Sequence, residues 1–245
     1  MKKIMIFFMI SFSFSIYAQL IDCNYGELNS CPENFYCTKL DKNKDACLRF
    51  PDEVPTINLP FKLNQKVTCY KSEVLEKVTS HAYNPSRFAA DLYSKYGENA
   101  DVVSVFDGVV YINDNCGPLD IECGSGFGNS VKVVGNNGYM AFYAHLSKVL
   151  VRNGQKVKVG ETIGVEGATG AVGEEPVTSI NGFKHLHFSM HKYEDWGVQY
   201  NNESYPAFSS IPYKLKVNIN GVSQVKDVRN LPCDFYSKGI LFQGY

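Results

Sequence analysis

The chain has 245 residues, 44% of them hydrophobic and 20% charged, with 24 Lys+Arg against 25 Asp+Glu. That is enough apolar material for a sizeable core in one or two domains, and it excludes a disordered or fibrous chain. A formal charge of −1 lacks the basic excess that phosphate contacts require, so no nucleic-acid partner is expected. Aromatic residues at 13%, nearly all Tyr and Phe, point to a β-rich interior.

Residues 1–18 read as a secretory signal peptide. Lys2 and Lys3 form its basic start, residues 4–14 a short apolar run, and Ala18 the small residue before the cut. The run is too short for a good membrane span, and no later run of that kind exists, so no membrane association is expected after cleavage. Asp22 is the wrong residue before Cys23 for lipid processing. Residues 19–53 then hold Cys23, Cys31, Cys37 and Cys47 among Asn, Asp, Lys, Pro and Glu. With so few aliphatic residues, covalent staples must replace a core, and an autonomous disulfide-stapled module is expected. Zinc is the rival reading of clustered cysteines, disfavoured by export and by the lack of a Cys-x-x-Cys pair. Cys116 and Cys123 flank a Gly/Pro loop and could pair, which by elimination leaves Cys69 to Cys233; eight cysteines nevertheless allow 105 connectivities.

Residues 54–63 are punctuated by proline and read as a linker to a second domain over 64–245. That domain reads as short strands with turn residues between them. Residues 102–106 and 109–112 are separated by Asp107-Gly108, a two-residue hairpin signature. Residues 130–134 and 139–144 surround Gly135-Asn136-Asn137-Gly138 as a second hairpin; residues 156–159, 162–165 and 184–192 follow as strands, and residues 86–96 are the best candidate for a short helix or turn. The fold expected is mainly β: an antiparallel, sandwich-like sheet domain preceded by the stapled segment.

The chain has only five histidines, His81, His145, His185, His187 and His191. In residues 184–191, strand alternation sends Leu186, Phe188 and Met190 inward and His185, His187, Ser189 and His191 to the opposite face. Two imidazoles at i and i+2 can converge on a metal or on one substrate atom, because neutral imidazole is both a zinc ligand and a general base.

The wider pattern is specific. Tyr143-Ala144-His145-Leu146, Gly154-Gln155-Lys156-Val157 up to Gly160, Gly167-Ala168-Thr169-Gly170 and His185-Leu186-His187-Phe188 occur in that order, preceded by Asp107-Gly108-Val109-Val110 and Gly126-Phe127-Gly128-Asn129. Over about residues 80–192 the chain resembles the lysostaphin/LytM-type zinc metallopeptidases. The resemblance implies one zinc ion, held by His187, Asp91 and an upstream histidine, with His145 and His185 as catalytic residues that do not bind metal. The usual upstream position, four before Asp91, is Arg87, a permanent cation. Ser80-His81 with Phe88-Ala89-Ala90-Asp91 fits a variant spacing, which makes His81 the expected third ligand. His191 matches no motif position and is expected to lie exposed at the strand end, and the insert over 171–183 is long for the family.

The function implied is hydrolysis of peptide bonds in peptidoglycan cross-links or stem peptides by zinc-activated water, in the periplasm or secreted, with a Gram-negative source favoured by the disulfides. Two alternatives stand: an inactive relative that binds and regulates a cell-wall amidase, and a secreted protease acting on other proteins. The residues do not indicate an oligomeric state.

Overall fold

The computed structural model describes residues 21–24, 30–41, 44–50, 53–63, 65–70, 86–94, 99–117, 120–172, 184–192, 210–219, 221–228 and 242–243. Residues 1–18, expected to be a signal peptide, His81, most of the 171–183 insert and Cys233, and with it the Cys69–Cys233 pairing, lie outside the described residues.

The protein is mainly β, as its aromatic content and turn spacing lead one to expect. One large sheet runs in the order Lys156–Val157, Gly108–Asn113, Ser130–Gly135, Tyr139–Ala144, Leu186–Lys192, Ala90–Ser94, Lys66–Tyr70, Phe242–Gln243, Lys214–Ile219 and Val222–Asp227. Ser210–Ile211 pairs with the Leu186–Lys192 strand, and Thr56–Asn58 pairs with Lys214–Ile219 in the one parallel contact of this sheet among the described residues. A small second sheet joins Lys148–Val149, Thr162–Val165 and Asp101–Val103. Its Val102 and Ile163 share one buried cluster with Val110, Val131, Val133, Tyr143, Leu186 and Phe188 of the large sheet. Alternation puts these side chains on a single face, so the core forms between the layers.

The hairpin over residues 130–144 forms as expected, with Met140 opposite Val134 and Tyr143 opposite Val131. The hairpin expected at Asp107-Gly108 does not. The strands on either side of it belong to different sheets: Asp101–Val103 pairs with Thr162–Val165, and Gly108–Asn113 pairs with Ser130–Gly135. Asp107 turns outward instead, accepting hydrogen bonds from the Val159 N–H (2.9 Å) and from Lys158 Nζ (2.7 Å). These contacts cap a neighbouring turn, a tertiary role that the dipeptide does not disclose.

Of the helix-or-turn alternatives for residues 86–96, the described residues take the turn and not the helix: a turn over Ser86 to Phe88 leads into the strand Ala90–Ser94. Every residue from Ala89 to Leu92 is buried, and pairing on both sides of the strand satisfies the backbone better than an isolated short helix would. Nor do residues 54–63 form a loose linker. Thr56–Asn58 is a strand, Leu59 and Phe61 are 2% and 3% exposed, and Phe61 bridges to Val102. The prolines sit beside the paired residues, where no ladder N–H is lost.

The cysteine-rich segment forms its own sheet of Ile21–Asp22, Lys44–Arg49 and Phe35–Asp41, stapled by Cys23–Cys37 and Cys31–Cys47. Cys116–Cys123 forms as anticipated. The stapled sheet is not separate from the rest, because Tyr36 belongs to the main buried cluster and Phe50 packs against it.

Candidate active site

The Leu186–Lys192 strand lies near the middle of the large sheet, between Tyr139–Ala144 and Ala90–Ser94. Leu186, Phe188 and Met190 enter the core, as alternation requires. The register then places His187 opposite Ala144 on one neighbour and opposite Asp91 on the other. Asp91 Oδ1 lies 2.9 Å from His187 Nδ1 and 3.7 Å from His185 Nε2, and all three residues are buried. A carboxylate oxygen and an imidazole nitrogen thus converge from adjacent strands, the donor chemistry that zinc takes. His81 lies outside the described residues. Arg87 places its guanidinium carbon 5.6 Å from the centre of the Phe88 ring.

His145 follows the Tyr139–Ala144 strand. Its ring centre lies 4.7 Å from that of His185 and 5.8 Å from that of His187. Its backbone has φ of 61°, in the left-handed region, where a residue with a Cβ pays on the order of 1–3 kcal/mol. Two contacts offset that cost: the His145 N–H donates to the Phe127 carbonyl at 2.9 Å, and Nδ1 lies 2.8 Å from the Thr169 carbonyl. A carbonyl only accepts, so Nδ1 carries the proton and Nε2 is left as the acceptor nitrogen. Burial first, then the imidazoles of His185 and His187, holds the pKa of His145 well below the ordinary histidine value, so the ring is neutral at neutral pH.

The Gly167 to Gly170 turn explains that orientation. Thr169 Oγ1 accepts from the Asn129 N–H at 2.9 Å and donates to the Leu146 carbonyl at 2.9 Å, while its own carbonyl holds His145. Gly128 makes this approach possible, since a Cβ there would stand 2.4 Å from the Thr169 carbonyl carbon. Asn129 in turn accepts from the Cys116 N–H at 2.9 Å and donates to the Cys116 carbonyl at 3.3 Å. The Cys116–Cys123 staple is therefore anchored to the loop that carries Phe127.

Of the residues singled out from sequence, Asp91, His145, His185 and His187 are brought together. His191 is not exposed at a strand end, as expected, but 2% exposed, with Nε2 2.8 Å from Ser189 Oγ. It extends the histidine row because the next strand, Ser210–Ile211, covers that end. Residues that single-residue reasoning missed form the surround. Phe127 lies 5.3 Å from His187 and 5.1 Å from Phe142, and Tyr93 lies 5.2 Å from His185. Alternation from Tyr143 could have placed Phe142 on the histidine face; nothing local marks Tyr93.

Residues 89–201 match the profile of Peptidase family M23. The matched stretch spans a little under half of the chain. It contains Asp91, His145, His185 and His187 and begins after His81. A 45-residue segment is 53% identical to the peptidoglycan DD-endopeptidase ShyA of Vibrio cholerae serotype O1, covering 18% of this chain and 10% of that protein. Another of 64 residues is 44% identical to the cell division protein DipM of Caulobacter vibrioides, covering 26% of this chain and 9% of that protein. The chain thus matches only about a tenth of the length of these relatives. Among solved structures, the catalytic domain of lysostaphin from Staphylococcus simulans is 21% identical with a TM-score of 0.36, covering 61% of this chain and 86% of that one.

Proposed function

We propose that this protein is an exported zinc metalloendopeptidase that hydrolyses peptide bonds in the cross-links or stem peptides of peptidoglycan. The observation that carries this reading is the convergence of Asp91 Oδ1 and His187 Nδ1 at 2.9 Å, beside the rings of His145 and His185 in a buried site. The donors fit zinc, and Asp91, His187 and His81 are the residues that would hold it. Bound there, zinc supplies Lewis acidity to the reacting carbonyl and its attacking water.

The side chains of this protein do the remaining work. His145, its Nδ1 proton committed to the Thr169 carbonyl, offers Nε2 to take the proton of the attacking water. His185, with Nε2 facing the Asp91 carboxylate, steadies the charge that develops on the scissile carbonyl oxygen. Phe127 and Phe142 wall the site with apolar rings, which excludes bulk water and strengthens these interactions. The segment shared with the peptidoglycan DD-endopeptidase ShyA supports a peptidoglycan substrate. Because the proposed acid/base and ligand residues of the described part are all in place, no observation favours an inactive amidase regulator.

The test is digestion of purified peptidoglycan by the mature protein, with the cleaved bonds identified by mass spectrometry and metal content measured in parallel. About one zinc per chain and release of peptide fragments are expected. Cleavage by a metal-free preparation, or zinc-loaded protein that leaves peptidoglycan intact, would overturn the proposal.

A further inference from the structure

We infer that Tyr36, in the disulfide-stapled amino-terminal sheet, is a positioning residue for Asp91; the inference rests on the reading of Asp91 as a zinc ligand. Among the described residues, the ladder pairs that hold the Asp91 strand begin at Ala90, which meets Phe188. The backbone just before it needs other support. Phe88, three residues ahead of Asp91, receives that support from two sides.

On one side the Tyr36 ring packs edge-on against Phe88 with centres 4.8 Å apart, and Phe50 completes the group at 4.9 Å from Tyr36 and 6.1 Å from Phe88. On the other side the Phe88 N–H donates to Ser210 Oγ at 2.9 Å. The two supports are joined, because the Tyr36 O–H donates to the Ser210 carbonyl at 3.3 Å, and Ser210 pairs with His191 on the histidine strand. Tyr36 is 8% exposed, Phe88 3% and Ser210 0%, so this network is dry and its loss would leave buried groups unsatisfied. The staples deliver the ring: Cys37, next to Tyr36, is bonded to Cys23 and lies opposite Cys47, which is bonded to Cys31. The stapled sheet thus packs against the segment that leads into the strand presenting Asp91, and groups that orient a ligand govern metal affinity.

The test uses the full mature chain and reads zinc affinity by chelator competition, together with amide hydrogen exchange at residues 88–92 in the zinc-free protein. Tyr36→Ala should weaken zinc by roughly 10–100-fold and speed exchange at these amides. Tyr36→Phe, which keeps the ring, should restore most of the affinity. Val217→Ala, a core truncation on a distant strand, should lower the melting temperature and leave both readouts unchanged. Wild-type zinc affinity and exchange in Tyr36→Ala would overturn the inference, as would equal zinc weakening in Val217→Ala. If Tyr36→Ala does not fold, Tyr36→Phe decides: without the O–H donated to Ser210, exchange at Phe88 should quicken, and unaltered exchange refutes the role. Asp91→Ala with undiminished zinc affinity would instead refute the ligand reading, and the exchange data would then judge the positioning alone.

Discussion

The His145 ring centre lies 4.7 Å from that of His185 and 5.8 Å from that of His187, yet His145 and His187 make different hydrogen bonds, which is the basis of the division of labour proposed for them. His187 turns Nδ1 to the Asp91 carboxylate, while His145 gives its Nδ1 proton to a backbone carbonyl. His187→Ala should therefore lose zinc and activity together. His145→Ala and His185→Ala should retain zinc and lose turnover by roughly 10²–10⁴-fold, measured as kcat beside metal content; equal zinc loss in all three would contradict the division. Glu166 is a different case, buried at 1% exposure, with Oε1 accepting from the Ser94 N–H and Oε2 lacking a hydrogen-bond partner among the described residues. Burial raises its carboxyl to about 7, against the opposing pull of the Ser94 N–H. The folded protein therefore holds this proton more tightly than the unfolded chain does. Its contribution is full below the ordinary carboxylate pKa and fades as pH rises to about 7. Glu166→Gln should accordingly stabilise the protein at pH 8 relative to wild type, with the gain shrinking toward acid pH in thermal melts; a gain independent of pH would refute this account.

At the scale of elements, the turn around Thr169 and the loop around Phe127 act as one unit. Thr169 Oγ1 ties Asn129 to Leu146, and the Thr169 carbonyl sets the His145 ring. Thr169→Val keeps the shape and removes the hydroxyl, stranding a buried N–H and a buried carbonyl at a cost of about 1–3 kcal/mol. The expected result is a lower melting temperature and a reduced kcat with zinc still bound. Full kcat would show that His145 is held without this turn. The glycines and threonine of the turn were legible as a motif; their purpose was not, because it lies in contacts to residues 126–129 and 145–146.

At the scale of the molecule, the stapled segment behaves as part of the domain. Its cysteine spacing suggested independence, since few aliphatic residues separate the cysteines, yet Tyr36 buries its ring in the main cluster and Phe50 packs beside it. Burying one such aromatic side chain contributes about 1.5–3 kcal/mol. A protein beginning at residue 54 should therefore melt at a lower temperature than the mature chain and bind zinc more weakly. An unchanged melting temperature would restore the picture of an autonomous module. The proline-rich stretch that follows gives the same lesson: Leu59 and Phe61 are core residues, though their setting between prolines reads as a tether.

Several features follow from local pattern alone. Period-two alternation divided Leu186, Phe188 and Met190 from the histidines, four glycine and asparagine residues turned the 130–144 hairpin, and the spacing of Cys116 and Cys123 allowed their bond. The resemblance carried by the ordered motifs pointed to Asp91, His145, His185 and His187, which the fold brings together, and to His81, which lies outside the described residues. Others depend on which strands become neighbours: the sheet change at Asp107-Gly108, the burial of His191 beside Ser210–Ile211, and the docking of Tyr36 against Phe88. Those outcomes follow from contacts between residues far apart in the chain, 122 positions in the case of Phe88 and Ser210, where no local signal reaches.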